Sequence, residues 1–190
     1  MHSRAYEKCP PCPTGDGLDD LKFVSQNVNS LCLNSAIHLA KYRENFEKKM
    51  ISVLKSHADF ILLSDTRICK NSLTFQNYCN TNSIEKYVPF FTVTNEAKRG
   101  VAILAKQSLD LSYELVNSDV KGNFITIKCF KPNEPHKFFL ICSIYGPLQN
   151  DSPTFINQVL EPLTTSNRPF VVGGDWNTTP SDIKPPELET

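Results

Sequence analysis

The segment Phe170-Val171-Val172-Gly173-Gly174-Asp175-Trp176-Asn177 is the most informative stretch of this 190-residue sequence. Its first five residues are apolar or glycine, which is typical of a short strand buried on both faces. The strand ends in an acid, Asp175, although an ionised carboxylate without a partner is costly to bury. Taken alone, Asp175 is equally compatible with a simple Asx turn.

Two other apolar runs also end in a carboxylate or a carboxamide side chain. The alternating run Leu21–Val28 ends around Asn27, and the apolar run Asp59–Leu63 is followed by Asp65. Alone, Asn27 is compatible with a turn and Asp65 with a helix cap. Their joint occurrence with Asp175 indicates that three strand ends converge on one sheet edge. Such a set of oxygen ligands suits Mg²⁺ or Mn²⁺ rather than zinc.

The rest of the pattern is rich in strands and poor in helices. Further strands are predicted at Tyr87–Thr92, Gly100–Ala105, Leu111–Val116, Phe124–Phe130 and Phe138–Tyr145. Helices are predicted over Lys41–Ser56, within the irregular stretch 64–86, and from Asp151-Ser152-Pro153 onward, where Pro162 is expected to end the helix early. This order predicts an α+β chain folded as a four-layer α/β sandwich, with two packed mixed β-sheets flanked by helices.

Composition excludes several classes of protein. No stretch approaches the roughly 20 apolar residues of a membrane span, so no membrane partner is expected. The 20 basic and 20 acidic residues balance, which argues against a dedicated nucleic-acid clamp and leaves room only for a local basic rim. Residues 1–20 are predicted to be a disordered leader, 21–180 the folded domain, and 181–190 a polar tail.

The seven cysteines predict a reducing compartment, nuclear or cytoplasmic. Their number is odd, and Cys129 and Cys142 fall inside apolar strands. Cys9 and Cys12 have the spacing of zinc ligands, but a structural zinc site needs two more ligands. We therefore assign this pair to the leader.

Five segments in order carry a family resemblance. They are Ser25–Leu31, Ile61–Arg67, Arg99–Leu104, Ile144–Pro147 and Val171–Asn177. Together they resemble the endonuclease/exonuclease/phosphatase superfamily, and most of all the apurinic-endonuclease-like domain at the N-terminus of non-LTR retrotransposon polyproteins. The resemblance covers residues 21–180. It implies a DNA-nicking phosphodiester hydrolase that uses Mg²⁺, or Mn²⁺, and acts beside a reverse transcriptase domain in the same polyprotein.

The resemblance also implies residue roles. Asn27 would help to order the metal or the phosphate, and Asp65 would be the principal metal ligand, at a position where the family usually has Glu. Tyr145 would contact the scissile phosphate. Asp175 would orient or deprotonate the attacking water, and Asn177 would steady the phosphate. Further contacts to substrate are expected from three residues, Arg99, Asn29 and Thr179.

Two departures from the family pattern keep other functions open. Asp65 is one methylene shorter than Glu, which matters because Mg²⁺ demands near-ideal geometry. The family pattern continues with further strands and a closing Ser-Asp-His that nothing after Pro180 resembles, so the fold is expected to be incomplete at its C-terminus. The four histidines, His2, His38, His57 and His136, are predicted to be solvated. The alternatives are a catalytically inactive remnant or binding module, and a phosphatase or phosphodiesterase of the same fold.

Overall fold

The computed structural model describes residues 20–31, 39–68, 72–81, 85–94, 98–147 and 152–177. Of the predicted leader and tail, only Asp20 falls within these ranges. The strands are β1 Phe23–Asn27, β2 Phe60–Ser64, β3 Tyr87–Phe91, β4 Val101–Lys106, β5 Ser112–Ser118, β6 Phe124–Phe130, β7 Phe138–Tyr145 and β8 Phe170–Asp175. The helices are α1 Leu39–Leu54, α2 Ser72–Thr81 and α3 Ser152–Thr165.

The strands form two mixed four-stranded sheets. In the first sheet the order is β1-β2-β4-β3, with β1 parallel to β2 and the other pairs antiparallel. In the second sheet the order is β5-β6-β7-β8, with only β7 and β8 parallel. Each sheet thus carries one parallel pair at one edge, and the carboxyl ends of each parallel pair point in the same direction.

Alternating side chains on each strand build four layers, because successive residues point to opposite faces of a sheet. On β2, Ile61 and Leu63 pack toward α1 and α2, whereas Phe60 and Leu62 pack between the sheets. On β7 the odd-numbered residue Ile141 faces the other sheet, and the even-numbered residues pack against α3. This architecture confirms the predicted four-layer α+β sandwich.

The end of α3 differs from the prediction, since the helix runs through Pro162 to Thr165. Pro162 is exposed, so the carbonyl that its missing N–H leaves without a helical donor can bond to water. Beyond it, the Thr164 hydroxyl donates to the Leu160 carbonyl at 2.9 Å, and the buried Leu163 keeps the helix on the second sheet. Packing and these hydroxyl bonds outweigh the proline. Asp151, the first residue of the predicted helix start, lies outside the described residues.

Several simpler predictions can also be compared with the structure. His57 and His136 are exposed, as predicted, while His2 and His38 fall outside the described ranges. Cys129 and Cys142 are free, buried strand residues, which confirms their predicted place. In the described part of the chain, no helix is both long and apolar enough to cross a membrane.

The junction between β7 and β8 depends on glycine. A Cβ at Gly146 would lie 2.0 Å from the backbone oxygen of Trp176, so no side chain fits without moving the backbone. Gly173 is different, because a Cβ there would meet the flexible end of the Leu62 side chain at 3.1 Å. The two glycines therefore offer a matched pair of substitutions.

We expect Gly146→Ala to lower the free energy of unfolding by about 1–3 kcal/mol, as overpacking does, and by more than Gly173→Ala. The reason is that the Leu62 side chain can move away from a new methyl group, whereas the backbone of Trp176 cannot. Urea unfolding of both variants followed by circular dichroism measures the difference. Equal losses in the two variants would show that close backbone approach at Gly146 is not required.

Buried thiols make a second prediction. Burial raises the pKa of Cys79 and of Cys142 to about 12, and that of Cys129 further, from an ordinary value of 9.0. Above that ordinary value the unfolded chain loses protons that the folded chain keeps, so stability must fall as the pH rises. Each thiol contributes up to about 1.4 kcal/mol per pH unit.

Urea unfolding between about pH 8 and about pH 10 should therefore show stability falling with pH. Cys79→Ala and Cys142→Ala should each make that fall shallower, whatever they do to stability at neutral pH. A slope unchanged in both variants would contradict the assignment of the effect to these thiols.

Candidate functional site

The side chains between the two sheets are apolar along most of each strand and polar at the carboxyl ends of β1, β2, β7 and β8. On β1 the facing residues run from Phe23 in the inter-sheet core to Asn27 at the strand end. On β2 the row ends in Ser64, and on β7 it ends in Tyr145, whose ring packs against the inter-sheet core. On β8 it ends in Asp175. Because parallel strands deliver their carboxyl ends to one edge, these four residues meet there.

A hydrogen bond across the sheets joins two of the predicted site residues. The Asn27 Nδ2 donates to Asp175 Oδ2 at 2.8 Å, although the residues are 148 positions apart. The other carboxylate oxygen, Oδ1, accepts the backbone N–H of Asn177 at 3.1 Å. Asp175 is therefore held at both oxygens, and its orientation is fixed by β1 as well as by its own strand.

Asn177 and Tyr145 lie near each other because the backbone of Gly146 packs closely against the backbone of Trp176. The Gly146 N–H donates to the Asp175 carbonyl at 2.7 Å, and the Asn177 Nδ2 donates to the Gly146 carbonyl at 2.7 Å. Trp176 points to the opposite face and packs against the α3 core, as expected for the residue after Asp175. Four predicted catalytic residues, Asn27, Tyr145, Asp175 and Asn177, are thus brought together.

Asp65, the predicted metal ligand, lies just beyond the end of β2 and is 4% exposed. Both of its carboxylate oxygens accept hydrogen bonds from Arg67, from Nε at 2.9 Å and from Nη2 at 2.8 Å. This bidentate geometry is the strong form of an arginine–carboxylate pair. Arg67 was not among the predicted site residues, yet its guanidinium is the direct partner of Asp65.

The loop after β1 makes hydrogen bonds to both members of the Asp65–Arg67 pair. The Asn29 N–H donates to Asn27 Oδ1 at 3.0 Å, and the Ser30 N–H donates to the Asp65 carbonyl at 2.7 Å. Arg67 Nη2 lies 3.4 Å from Asn29 Oδ1. Polar contacts therefore run without a break from Asp175 through Asn27 and Asn29 to Arg67 and Asp65.

A lysine from α1 completes this side of the site. The Lys49 Nζ donates to the carbonyl of Ser30 at 2.8 Å and also to the carbonyl of Asn29. Burial, and then the positive charge of Arg67, lowers the pKa of Lys49 below its ordinary value, while Asp65 opposes the shift. Two cations therefore interact at this edge of a chain whose formal net charge is zero.

Arg99, a predicted substrate contact, lies beside these residues. Its backbone carbonyl accepts the Arg67 N–H at 2.7 Å, and its guanidinium donates to Asn123 Oδ1. Asn123 is held in turn by Asp119, and its carbonyl accepts the Tyr145 N–H at 2.7 Å. The third predicted contact, Thr179, lies outside the described residues.

Backbone strain is concentrated at the same edge. Eight non-glycine residues in the described ranges have a left-handed φ, a conformation that costs of order 1–3 kcal/mol each. Six of them lie at this edge: Asn29, Ser30, Asp65, Arg67, Arg99 and Asn177. The hydroxyls of Ser64 and Thr66, on either side of Asp65, are also buried, and neither has a hydrogen-bond partner among the residues that the structure describes. Strain and unsatisfied polar atoms of this kind cluster at functional sites.

The donor set at this edge fits a hard divalent cation only in part. Its oxygens come from carboxylates and side-chain amides, which Mg²⁺ and Mn²⁺ prefer. However, Arg67 occupies both oxygens of Asp65. In the described part of the chain no group of three or more His, Cys, Asp or Glu residues gathers as a metal site. A cation at Asp65 would therefore have to share these oxygens with the guanidinium or displace it.

Sequence reasoning missed three partners for different reasons. Arg67 was visible, since it follows Asp65 by two residues and a basic residue at that spacing can fold back on the acid. Lys49 lies on α1 and Asn123 precedes β6. No local pattern links either of them to the strand ends, because their contacts depend on how the helix and the second sheet dock.

Comparison with known proteins identifies the fold. No family model and no curated protein matches the sequence. Among solved structures, the AP endonuclease LMAP from Leishmania major matches with a TM-score of 0.54 at 14% identity, and the Xenopus laevis APE2 catalytic domain with 0.53 at 15%. The endonuclease domain of TRAS1, a telomere-specific non-LTR retrotransposon, matches with 0.50 at 11%.

These matches cover 82%, 84% and 85% of this chain but only 54%, 59% and 62% of the three solved chains, in the same order. The chain therefore spans little more than half the length of its structural neighbours. At such low identity the likeness concerns the fold alone. The chain has an α+β sandwich fold similar to that of these three solved structures and corresponds to part of it.

Proposed function

We propose that this chain carries the catalytic edge of a metal-dependent phosphodiester hydrolase that nicks DNA, of the type found in non-LTR retrotransposons. The observation that carries the proposal is the bond between Asn27 and Asp175, which fixes an acid where Asn177 and Tyr145 also converge. DNA as substrate is supported by the fold, since the similar structures include two AP endonuclease-like proteins and a retrotransposon endonuclease domain.

In this proposal Asp175 acts on the attacking water. One oxygen accepts from the Asn27 amide and the other from the Asn177 backbone, so the carboxylate cannot rotate freely. Each oxygen keeps a further lone pair that can accept a proton from water. A base held in position in this way contributes typically 10²–10⁴-fold to a hydrolysis rate.

Neutral donors near Asp175 suit the phosphate. The Asn177 amide and the Tyr145 hydroxyl carry hydrogen-bond donors without negative charge, so they do not repel a phosphodiester. Donors set in place before reaction stabilise the charge that develops on phosphate oxygens. Asn177 is held by its own bond to the Gly146 carbonyl at 2.7 Å, which fixes the amide beside the strand end.

A divalent cation would be held by Asp65 with help from the Asn27 amide oxygen. Bound there, Mg²⁺ or Mn²⁺ would supply the charge that stabilises the pentacovalent phosphate. Around it, Lys49, Arg67 and Arg99 form a local basic rim that suits a DNA backbone. We further propose that Asn29 and Thr179 contact the DNA, that a reverse transcriptase domain is the partner, and that the protein acts in the nucleus or cytoplasm.

A second candidate function is a DNA-binding module without cleavage. The specific observation in its favour is the Arg67–Asp65 pair, which engages the oxygens that a catalytic cation would need. A module of this kind would keep the basic rim and lose the chemistry. A phosphatase of the same fold differs from both, because it would act on a soluble phosphate ester rather than on DNA.

The proposal predicts that the chain converts supercoiled plasmid to the open circular form in Mg²⁺ or Mn²⁺, and that Asp175→Ala slows this conversion by about 10²–10⁴-fold. The wild-type rate is expected to be slow, because none of the four histidines in the sequence matches the histidine of the Ser-Asp-His that closes the family pattern. Agarose gels over a long time course measure the conversion. Glu161→Ala, at an exposed position on α3, is the control and should nick like the wild type.

Three outcomes separate the candidates. Equal and background-level nicking by the wild type and Asp175→Ala, with plasmid still retarded on the gel, would favour the binding module and reject the hydrolase. Release of phosphate from a soluble inositol phosphate, with plasmid left intact, would favour the phosphatase. Asp175-dependent nicking that disappears in EDTA supports the hydrolase.

A further inference from the structure

The backbone conformation at Asp65 and Arg67 favours the ion pair between their side chains. Both residues have a left-handed φ, 55° and 52°, which turns the two side chains toward each other over only two positions. The Asp65 side chain is 6% exposed and the Arg67 side chain 36% exposed. The acid is therefore buried, while part of its partner remains within reach of a ligand.

A divalent cation and Arg67 compete for Asp65. The two guanidinium bonds, at 2.9 Å and 2.8 Å, engage both carboxylate oxygens. A cation bound to either oxygen would lie within a few ångströms of the guanidinium, and like charges at that separation repel strongly in a partly buried site. Binding of the cation therefore favours movement of Arg67 away from Asp65.

A phosphate is the ligand that best suits a displaced guanidinium. Arginine binds phosphate oxygens with the same bidentate fork that it uses for carboxylates. Arg67 Nη2 lies 3.4 Å from Asn29 Oδ1, and Asn29 is bonded to Asn27, which holds Asp175. The guanidinium thus contacts Asn29, a predicted substrate contact, and is linked through Asn29 and Asn27 to Asp175.

Lys49 supplies a second reason for this exchange. Its pKa is lowered by burial and by the positive charge of Arg67, so the two cations repel each other within the site. A phosphate placed near them relieves that repulsion. The same edge therefore favours an anion near Arg67 and a cation near Asp65.

We propose that Arg67 exchanges between Asp65 and a phosphate of the nucleic acid, so that divalent metal and phosphate each strengthen the binding of the other. This inference rests on the proposed function and adds a specific residue to it. Linkage requires that the effect be reciprocal, and couplings of this kind typically change affinity about 5- to 150-fold. Arg67 is then a binding residue whose pairing with Asp65 weakens metal binding until a phosphate arrives.

Trp176, the single tryptophan of the chain, gives a readout that does not depend on cleavage. Its ring packs against α3 on the opposite face, but it follows Asp175 directly, so its fluorescence can report on changes that ligand binding causes at the end of β8. We would titrate Mg²⁺ into the whole chain, alone and with a phosphorothioate DNA duplex that resists cleavage. Thermal shifts measured in parallel provide a second, independent measure of metal affinity.

For the wild type we expect the apparent Kd for Mg²⁺ to fall on the order of tenfold when the duplex is present. In Arg67→Gln, Mg²⁺ should bind more tightly than in the wild type without DNA, and the duplex should no longer change its Kd. Arg67→Lys keeps the charge but not the bidentate fork, and it should retain only part of the effect. Both variants are first checked for a folded circular dichroism spectrum.

Two further variants serve as controls. Arg99→Gln removes a cation from the same edge that bonds to Asn123 rather than to a carboxylate, so it should weaken DNA binding but keep the coupling. Arg43→Gln removes an exposed cation on α1 and should change neither quantity.

A Kd for Mg²⁺ that is the same with and without the duplex in the wild type would overturn the inference. So would weaker binding of Mg²⁺ in Arg67→Gln, because Arg67 would then support the metal site. Failure here is distinguishable from failure of the proposed function. Coupling without nicking means that a binding module uses the exchange, and nicking without coupling means that the hydrolase stands and this role of Arg67 falls.

Discussion

One hydrogen bond links the halves of the site, from the Asn27 amide of the first sheet to the Asp175 carboxylate of the second at 2.8 Å. Asn27 belongs to a parallel pair in one sheet and Asp175 to a parallel pair in the other. Their contact requires that both pairs end at the same edge and that the sheets pack closely there. The strand order, the inter-sheet core and the turns at the edge together make this contact possible.

Small residues make the close packing possible. Ser143 Oγ donates across the sheets to the Leu63 carbonyl at 3.1 Å, and Gly173 lies against Leu62 and Ser25. Bulky side chains fill the middle of the inter-sheet core, where Phe60 packs edge-on against Phe139. Aromatic rings therefore fill the middle of the inter-sheet core, whereas small residues allow direct contact between the sheets at Ser143 and Gly173.

Local sequence patterns predict the strands well and their partners poorly. The bounds of Phe124–Phe130 and Phe138–Tyr145 agree with the structure to the residue, because apolar alternation and turn residues are local signals. The convergence of Asn27, Tyr145, Asp175 and Asn177 followed from strand ends together with the family resemblance. The helix end after Pro162 was wrong because packing of Leu163 outweighs proline, which a local pattern does not show.

The Asp65–Arg67 pair marks the limit of sequence reasoning at the site. Asp65 was identified from its place after a buried strand, but the guanidinium on both of its oxygens depends on two left-handed backbone positions that no composition rule predicts. The predicted metal ligand is therefore also half of an ion pair. Charge, burial and backbone strain therefore coincide at this one residue.

We propose that the ends of β1, β2, β7 and β8 form a single phosphate-binding site. An NMR titration of the ¹⁵N-labelled chain with a phosphorothioate DNA duplex in Mg²⁺ tests this most directly. We expect backbone amide signals to shift together at Asn27–Ser30, Asp65–Arg67, Tyr145–Gly146 and Asp175–Asn177, while those of the outer strand β5 stay in place. Shifts confined to β5 or scattered over the surface, with these four strand ends unchanged, would contradict it.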